Sequence, residues 1–202
     1  MFIQVIQGQV SAPARCAKRS TGGPVRWVPG AAGWLGTTAG VTEDGTFISL
    51  VRLESQDAGR RNKDRPEVDT WWSETAELFT GEPVLTASSN VVVDVAGEPD
   101  AAGFVQVIQG RNSDADRARE LMADDSPEWA RWRPDILGSS VAEHDGGAYT
   151  MALYFTSEDA ALERESTEPP PELKAVMEEM NALTVGTPEF FDLRQPWLHS
   201  PG

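Results

Sequence analysis

One seven-residue pattern occurs twice in the chain, about a hundred residues apart. FIQVIQG at residues 2–8 returns as FVQVIQG at residues 104–110. Sliding the sequence by 102 positions also aligns residues 33–55 with residues 135–157 without a gap. An internal repeat of this length predicts two copies of one structural unit. The 202 residues are enough for two units of common domain size.

The alignment of the two copies extends over most of the chain. Trp27 aligns with Trp129, and three extra residues in the second copy then change the offset to 105, so that Leu78 aligns with Leu183. The segment AGEPDAAG is rich in small residues and contains Pro and Gly, which suits a short linker. The predicted boundaries are a first repeat at 1–97, a linker at 98–103, and a second repeat with a C-terminal tail at 104–202.

Each copy contains the signals of a strand, a helix, a hairpin, a second helix and a last strand. The helix stripe Val68, Trp71, Trp72, Thr75, Leu78 and Phe79 follows helical spacing. Ser55 and Ser157 are predicted N-caps of the helical segments that follow the hairpins. For the first copy the predictions are a strand at 2–8, a helix at 12–28 interrupted by STGGP, strands at 33–40 and 46–54, a helix from Pro66 to Phe79, and a strand at 84–95. The equivalent first helix of the second copy, at 114–123, has no such interruption.

This β-α-β-β-α-β order is the ferredoxin-like pattern, which leaves one face of its sheet without helices. The opening strand FIQVIQ carries large apolar side chains on both faces, as strands do when both faces are buried. A second copy is the obvious cover for the bare face. The predicted fold class is therefore α+β, with two ferredoxin-like repeats that form an intramolecular pseudo-dimeric α/β barrel.

Composition excludes several classes of partner. The formal net charge of −15 argues against binding to nucleic acid or to an anionic membrane surface. No charged segment followed by an apolar one opens the chain, and no apolar run approaches the length of a membrane span. A single cysteine, Cys16, excludes an internal disulfide. A cytoplasmic protein is the expectation.

Several kinds of active site lack their sequence signals. His144 lies in a predicted turn and His199 in the tail, and neither has a second ligand at metal spacing. Cys16 has no nearby base for a nucleophilic triad. The segment GAAGWLG at 30–36 has neither the dinucleotide spacing nor the ending of a phosphate loop. We therefore expect no metal and no cofactor.

The repeated strand, the hairpin and the helix entry RPEVDTWW at 65–72 resemble the dimeric α/β-barrel superfamily, in particular the antibiotic biosynthesis monooxygenase-like domains. Those domains are usually single-copy homodimers, so the resemblance implies that this chain forms the pair by itself, as a monomer, or pairs again as a homodimer. Glu67 and Glu172 stand where many members have histidine, which weakens any transfer of a haem-ligand or acid–base role. The resemblance implies a small aromatic or polyketide-like substrate.

Two features of the first copy suggest a ligand site. Trp71-Trp72 replaces the aliphatic pair Val176-Met177 of the second copy, and it indicates either a core position or the wall of an apolar pocket. The segment RRNKDRPE at 60–67 is either a solvated helix end or the mouth of a cleft. The candidate catalytic residues are Asn62 and Arg65 as oxyanion partners and Glu67 as a base, and the candidate substrate-binding residues are Trp71, Trp72, Trp34 and Arg52.

Two functions remain open from the sequence. The first is a cofactor-independent monooxygenase, an oxidoreductase in which the protein stabilises a deprotonated small aromatic molecule that then reacts with oxygen. The alternative is a non-catalytic small-molecule-binding or structural member of the same superfamily. A cavity lined by Trp71 with a buried carboxylate favours the enzyme, whereas Trp71 packed in a filled core favours the alternative.

Overall fold

The computed structural model describes residues 1–13, 15–16, 31–94, 99–123 and 127–201. The chain divides into two compact units, Met1–Val91 with Gln195–Gly202, and Val92–Arg194. Each unit has a five-stranded sheet and helices, so the predicted α+β class is confirmed. The predicted helix at 12–28, with Trp27, lies mostly outside the described residues, as does the first residue of the predicted linker.

The first unit is a sheet in the order β10-β2-β3-β1-β4. The pairs β1–β3, β2–β3, β1–β4 and β10–β2 are all antiparallel. Its elements are β1 (Phe2–Gln9), β2 (Trp34–Val41), β3 (Thr46–Leu53), α1 (Gln56–Lys63), α2 (Pro66–Ala76), β4 (Val84–Ser88) and β10 (Trp197–His199).

The second unit is a sheet in the order β5-β7-β8-β6-β9. Along the chain, the described elements from β6 to β9 follow the predicted β-α-β-β-α-β order, with two successive helices at each helical position. They are β5 (Asn90–Asp94), β6 (Phe104–Arg111), α3 (Ala115–Met122), α4 (Pro127–Trp132), β7 (Ile136–Glu143), β8 (Ala148–Phe155), α5 (Glu158–Glu165), α6 (Pro171–Leu183) and β9 (Glu189–Leu193).

Equivalent contacts recur in the two units at the offsets that align the sequences. The isolated bridge between Val10 and Phe79 in the first unit corresponds to the bridge between Asn112 and Thr184 in the second. The backbone N–H at residue 10 donates to the carbonyl of Gly45, and the N–H at residue 112 donates to that of Gly147. The units therefore share one internal geometry, while the duplication that would explain it stays a prediction.

The local signals read from the sequence are confirmed. The hairpin lies where it was predicted, and its turn residue Gly45 has a positive φ of 85°, which glycine adopts without strain. The Ser55 side chain accepts a hydrogen bond from the backbone of Ala58, and the Ser157 side chain accepts one from Ala160, so both serines cap helices. Helix α2 was predicted to extend to Phe79 but ends at Ala76. Phe79 instead forms a backbone bridge with Val10.

The last strand of the first copy and the C-terminal tail differ from the prediction. A single last strand was predicted at 84–95, but the structure has β4 and β5 on either side of Ser89, and the two strands belong to different sheets. The C-terminal tail was assigned to the second repeat, whereas Gln195–Gly202 belongs to the first unit and supplies β10. Each sheet thus takes one edge strand, β10 or β5, from the segment that follows β9 or β4, the opposite edge strand of the other sheet.

Both faces of the central strands are buried. In the first unit, Phe2 packs with Leu53 and Ala58 on the helix side, while the neighbouring Ile3 is 0% exposed on the other side of β1. Ile48 and Leu50 of β3 are fully buried as well. This burial agrees with the prediction from FIQVIQ, and the closure of the sheets into a barrel stays a prediction. Among the described helices, none is long and apolar enough to cross a membrane.

Candidate functional site

Trp34 and Asn62, two of the predicted site residues, hold the structure around the turn that precedes β2. Trp34 is buried against Phe2, and its Nε1 donates a hydrogen bond to the Thr37 hydroxyl at 3.0 Å. Asn62 is 6% exposed, and its Nδ2 donates to the Ala32 carbonyl at 3.1 Å. The donor groups of both side chains are thus engaged within the protein.

Arg65 and Glu67 lie at the beginning of α2. The Arg65 Nε is 3.8 Å from a Glu67 carboxylate oxygen, and the Glu67 side chain is 63% exposed. The Glu67 carboxylate is therefore largely in contact with water. The roles predicted for Arg65 and Glu67 stay predictions.

Trp71 and Trp72 lie next to each other on α2, and Arg52 lies elsewhere. The two indole rings are 6.3 Å apart, and the Trp72 ring is 6.4 Å from the Phe79 ring. Both side chains are half-buried. Arg52 precedes Leu53 on β3, and because alternate side chains of a strand point to opposite faces, it is on the face opposite the Trp34 cluster. The structure therefore does not gather the seven candidates into one site.

A cavity of about 150 Å³ lies in the second unit, between α3, the end of α6 and the sheet. Its wall is mostly apolar, with three methionines and several alanines. The lining residues are Asn112, Ala115, Ala118, Arg119, Met122, Val141, Glu143, Gly147, Ala148, Tyr149, Met151, Met180 and Thr184. The cavity lies on the side of the second sheet that faces its helices.

Helical and strand periodicity together build this wall. Residues 115, 118, 119 and 122 of α3 are spaced i, i+3, i+4 and i+7, so one face of the helix covers the cavity. Tyr149 and Met151 alternate along β8 and share a face of the sheet. Met180 and Thr184 come from the last turn of α6 and the residue after it.

Two ion pairs hold α3 in place over the cavity. Arg119 donates two hydrogen bonds to Glu143 of β7, one from Nε at 3.0 Å, and the Glu143 side chain is only 14% exposed. Arg117 forms a similar two-bond pair with Glu179 of α6, from Nε at 2.6 Å and from Nη2 at 3.0 Å. These bonds lower the pKa of Glu179 and raise the pKa of Arg119. The two charged residues of the wall, Arg119 and Glu143, thus neutralise each other.

Tyr149 is one of the residues that line the cavity, and its side chain carries a hydroxyl group. It pairs with Gly110 of β6, and a Cβ at Gly110 would lie 2.7 Å from the Tyr149 hydroxyl oxygen, so glycine provides the space for this group. Burial raises the pKa of the Tyr149 hydroxyl, which keeps it protonated at neutral pH. The hydrogen bonds of the described residues leave this hydroxyl without a protein partner.

None of the residues that line this cavity belongs to the predicted site, whose candidates all lie in the first copy. One signal was available: position 79, a phenylalanine in the first copy, is Thr184 in the second. A smaller side chain at an otherwise equivalent position leaves space. Within the described part of the chain, no group of three or more His, Cys, Asp or Glu side chains is arranged to hold a metal ion.

Comparison with known proteins identifies structural neighbours only. No known protein-family profile matches the chain, and no curated protein sequence matches it. A protein of Lactobacillus acidophilus provisionally named a monooxygenase aligns with a TM-score of 0.71 and 10% identity, over 98% of this chain and 99% of its own. A similarly named protein of Fusobacterium nucleatum aligns with a TM-score of 0.73 and 13% identity, over 100% of this chain and 94% of its own.

A third solved structure, an anthrone oxidase-like protein, aligns with a TM-score of 0.63 and 11% identity, over 98% of this chain and 92% of its own. Identities this low carry information about the fold and not about the reaction. The chain therefore has an α+β fold that it shares with solved proteins named as monooxygenases and as anthrone oxidase-like.

Proposed function

We propose that the protein binds a small aromatic molecule in the cavity of the second unit and oxygenates it without a cofactor. The observation that carries the proposal is the cavity itself, whose wall is mostly apolar and includes two hydroxyl-bearing side chains, Tyr149 and Thr184. An apolar cavity of about 150 Å³ is large enough to hold a benzene ring. The thioethers of Met122, Met151 and Met180 suit an aromatic face, since sulfur and aromatic rings attract each other.

The proposed reaction uses the substrate as its own reductant. An acidic CH₂ group beside an aromatic ring loses a proton to water, and the resulting carbanion passes electrons to molecular oxygen. One oxygen atom then replaces the two hydrogens as a carbonyl, and the other leaves as water. The protein supplies a water-poor cavity and fixes the orientation of the ring. The names of the structural neighbours support this type of reaction.

Non-catalytic binding is the second candidate, and one observation favours it. Arg119 and Glu143 of the cavity wall form a hydrogen-bonded ion pair with each other, so neither is positioned to take a proton from a ligand. The predicted proton-handling set of Asn62, Arg65 and Glu67 belongs to the first unit and is a separate proposal. Oxygen uptake by an Arg65→Ala variant tests it directly.

Oxygen consumption separates the two candidates. The protein is incubated with single-ring compounds that carry an acidic CH₂ group, in an oxygen electrode, with mass analysis of the product. The expected result is oxygen uptake with incorporation of one atom from ¹⁸O₂, and its loss in a Thr184→Phe variant whose added ring fills the cavity. Binding without uptake would favour the non-catalytic function, and uptake unchanged in Thr184→Phe would place the reaction outside this cavity.

A further inference from the structure

We infer that Tyr149 determines which rings the cavity accepts, and that it favours neutral aromatic molecules with an oxygen substituent over hydrocarbon rings of the same size. The inference rests on the proposed binding in the second unit and adds the chemical class of the ligand. Tyr149 would donate a hydrogen bond to a phenol or ketone oxygen on the ring, while the methionines contact the ring itself.

The position of the hydroxyl supports this role. Tyr149 and Tyr154 are the two tyrosines of the chain, and both lie on β8. The Tyr154 hydroxyl is 3.4 Å from the Ser140 hydroxyl and is buried, so it is used within the protein. Tyr149 lines the cavity, and its hydroxyl lies over Gly110. Unlike the Tyr154 hydroxyl, it forms no hydrogen bond with another described residue, so it is available to donate to an acceptor oxygen on a ligand.

The charges around the cavity favour a neutral ligand. Glu143 is part of the wall, and Glu179 and Asp116 are ion-pair partners on the same group of elements. The chain as a whole carries a formal charge of −15. Two arginines, Arg117 and Arg119, pair with four carboxylates, so this network keeps a net negative charge that disfavours a carboxylate or phosphate ligand. A phenol, in contrast, brings an acceptor oxygen without a charge.

The side chain that lies above this glycine differs between the two units. Gly8 is the equivalent of Gly110, and a Cβ there would lie 2.7 Å from a ring carbon of Phe79. In the first unit the space above the glycine is thus occupied by a core phenylalanine, whereas in the second unit it holds the Tyr149 hydroxyl. The donor is available in the second unit because Thr184 replaces that phenylalanine.

The test compares phenol with toluene, which have nearly the same shape and differ in the hydroxyl. Each is titrated into protein labelled with ¹³C at the methionine methyl groups, and dissociation constants are taken from the shifts of Met122, Met151 and Met180. Met1 and Met177 do not line the cavity and serve as internal controls. Three proteins are used: the wild type, Tyr149→Phe, and Tyr154→Phe as the matched removal of the other tyrosine hydroxyl.

The expected result is that Tyr149→Phe binds phenol about 5- to 10-fold more weakly, as for the loss of one hydrogen bond, and binds toluene as the wild type does. Tyr154→Phe should leave both affinities unchanged. Equal phenol affinity in the wild type and in Tyr149→Phe would overturn the inference while leaving the proposed binding intact. If neither ring shifts the three methyl signals of the wild type, the proposed binding itself fails, and the inference with it.

Discussion

The two units have equivalent backbone contacts among their described residues, yet they carry different side chains at two equivalent positions. In the first unit, Phe47 packs edge-on against Phe79 with ring centroids 5.6 Å apart, and Trp197 of β10 lies 6.3 Å from Phe47. In the second unit the equivalents of Phe47 and Phe79 are Tyr149 and Thr184, which line the cavity.

The difference teaches that a binding site need not begin with the gain of a reactive residue. The bridges that hold positions 79 and 184 are the same, so the backbone is held alike in both units. The smaller side chain of Thr184 leaves space, and we propose that the Tyr149 hydroxyl makes this space selective for rings with an oxygen substituent. An apolar space of this size offers water few hydrogen-bond partners, and a ligand ring would supply the contacts that its walls lack.

Making the first unit hollow is expected to have the largest effect. Phe79→Thr removes a buried ring that packs against Phe47 and Trp72, and should lower the free energy of unfolding by about 3–5 kcal/mol. Urea unfolding followed by tryptophan fluorescence measures this loss. Phe190→Thr is the matched control, because Phe190 is 57% exposed and should change stability by less than about 0.5 kcal/mol. Equal losses in the two variants would mean that the Phe79 ring contributes no more packing energy than an exposed ring.

Filling the second unit is the reciprocal change. Thr184→Phe places the side chain of the first unit into the cavity, and should weaken the binding of toluene and phenol more than 10-fold. The added ring should cost no more than about 1–3 kcal/mol of stability, since it enters existing space. Methionine-methyl titration measures binding, and Thr187→Phe, at an exposed position three residues later, controls for the substitution itself. Undiminished binding would show that the ligand lies elsewhere.

The Arg119–Glu143 pair is a smaller difference between the units, because Val41 stands at the position equivalent to Glu143. Arg119→Ala leaves a largely buried carboxylate without this partner and should lower the free energy of unfolding, by an amount limited by the partial exposure of Arg119. Adding Glu143→Val should recover most of that loss. A double-mutant cycle from urea unfolding gives the coupling, and a value near zero would mean that the pair does not hold α3.

The hairpin turns are expected to differ least, and only in acid. A hydrogen bond from the Thr42 hydroxyl lowers the pKa of Asp44, whereas the equivalent position in the second unit is Gly146. A lowered pKa in the folded state means that Asp44 stabilises the fold above its unfolded pKa of about 4, and that this stabilisation is lost as the pH falls further. Because Asp44 is exposed, the effect should stay below about 1 kcal/mol.

Comparing wild type with Asp44→Asn by urea unfolding at pH 7 and pH 3 measures this difference. The destabilisation caused by Asp44→Asn should be present at pH 7 and should shrink at pH 3, where Asp44 itself becomes protonated. Gly146→Ala provides no acid-dependent term and serves as the control in the second unit. A destabilisation that is equal at both pH values would mean that the hydrogen bond does not depend on the charge of Asp44.

The sequence predicted the features that depend on neighbours along the chain. Alternating apolar residues, a turn glycine and serine caps act over a few positions, so the hairpins and the caps at Ser55 and Ser157 were predictable. The separation of β4 and β5 at Ser89 was not predictable, because no local sequence pattern distinguishes one continuous strand from two strands that belong to different sheets. The fold class followed from the order of elements, which survives such details.

The candidate site was harder to predict for a physical reason. Aromatic residues are conspicuous in a sequence, but Trp34 lies in a filled cluster and Trp72 lies beside Phe79. A cavity depends on side chains that are too small, and a threonine such as Thr184 carries no mark of the space it leaves. Only the pairing of equivalent positions 79 and 184 reveals it, and that pairing requires both the repeat and its change of offset.

The position of β10 has a consequence for the order of folding during synthesis. The first unit contains the residues that leave the ribosome first, yet its sheet needs β10, and its aromatic cluster needs Trp197, from the far end of the chain. A nascent chain that has reached residue 194 holds every strand of the second sheet and only four of the five strands of the first. The half of the protein that is made first is therefore the half that is completed last.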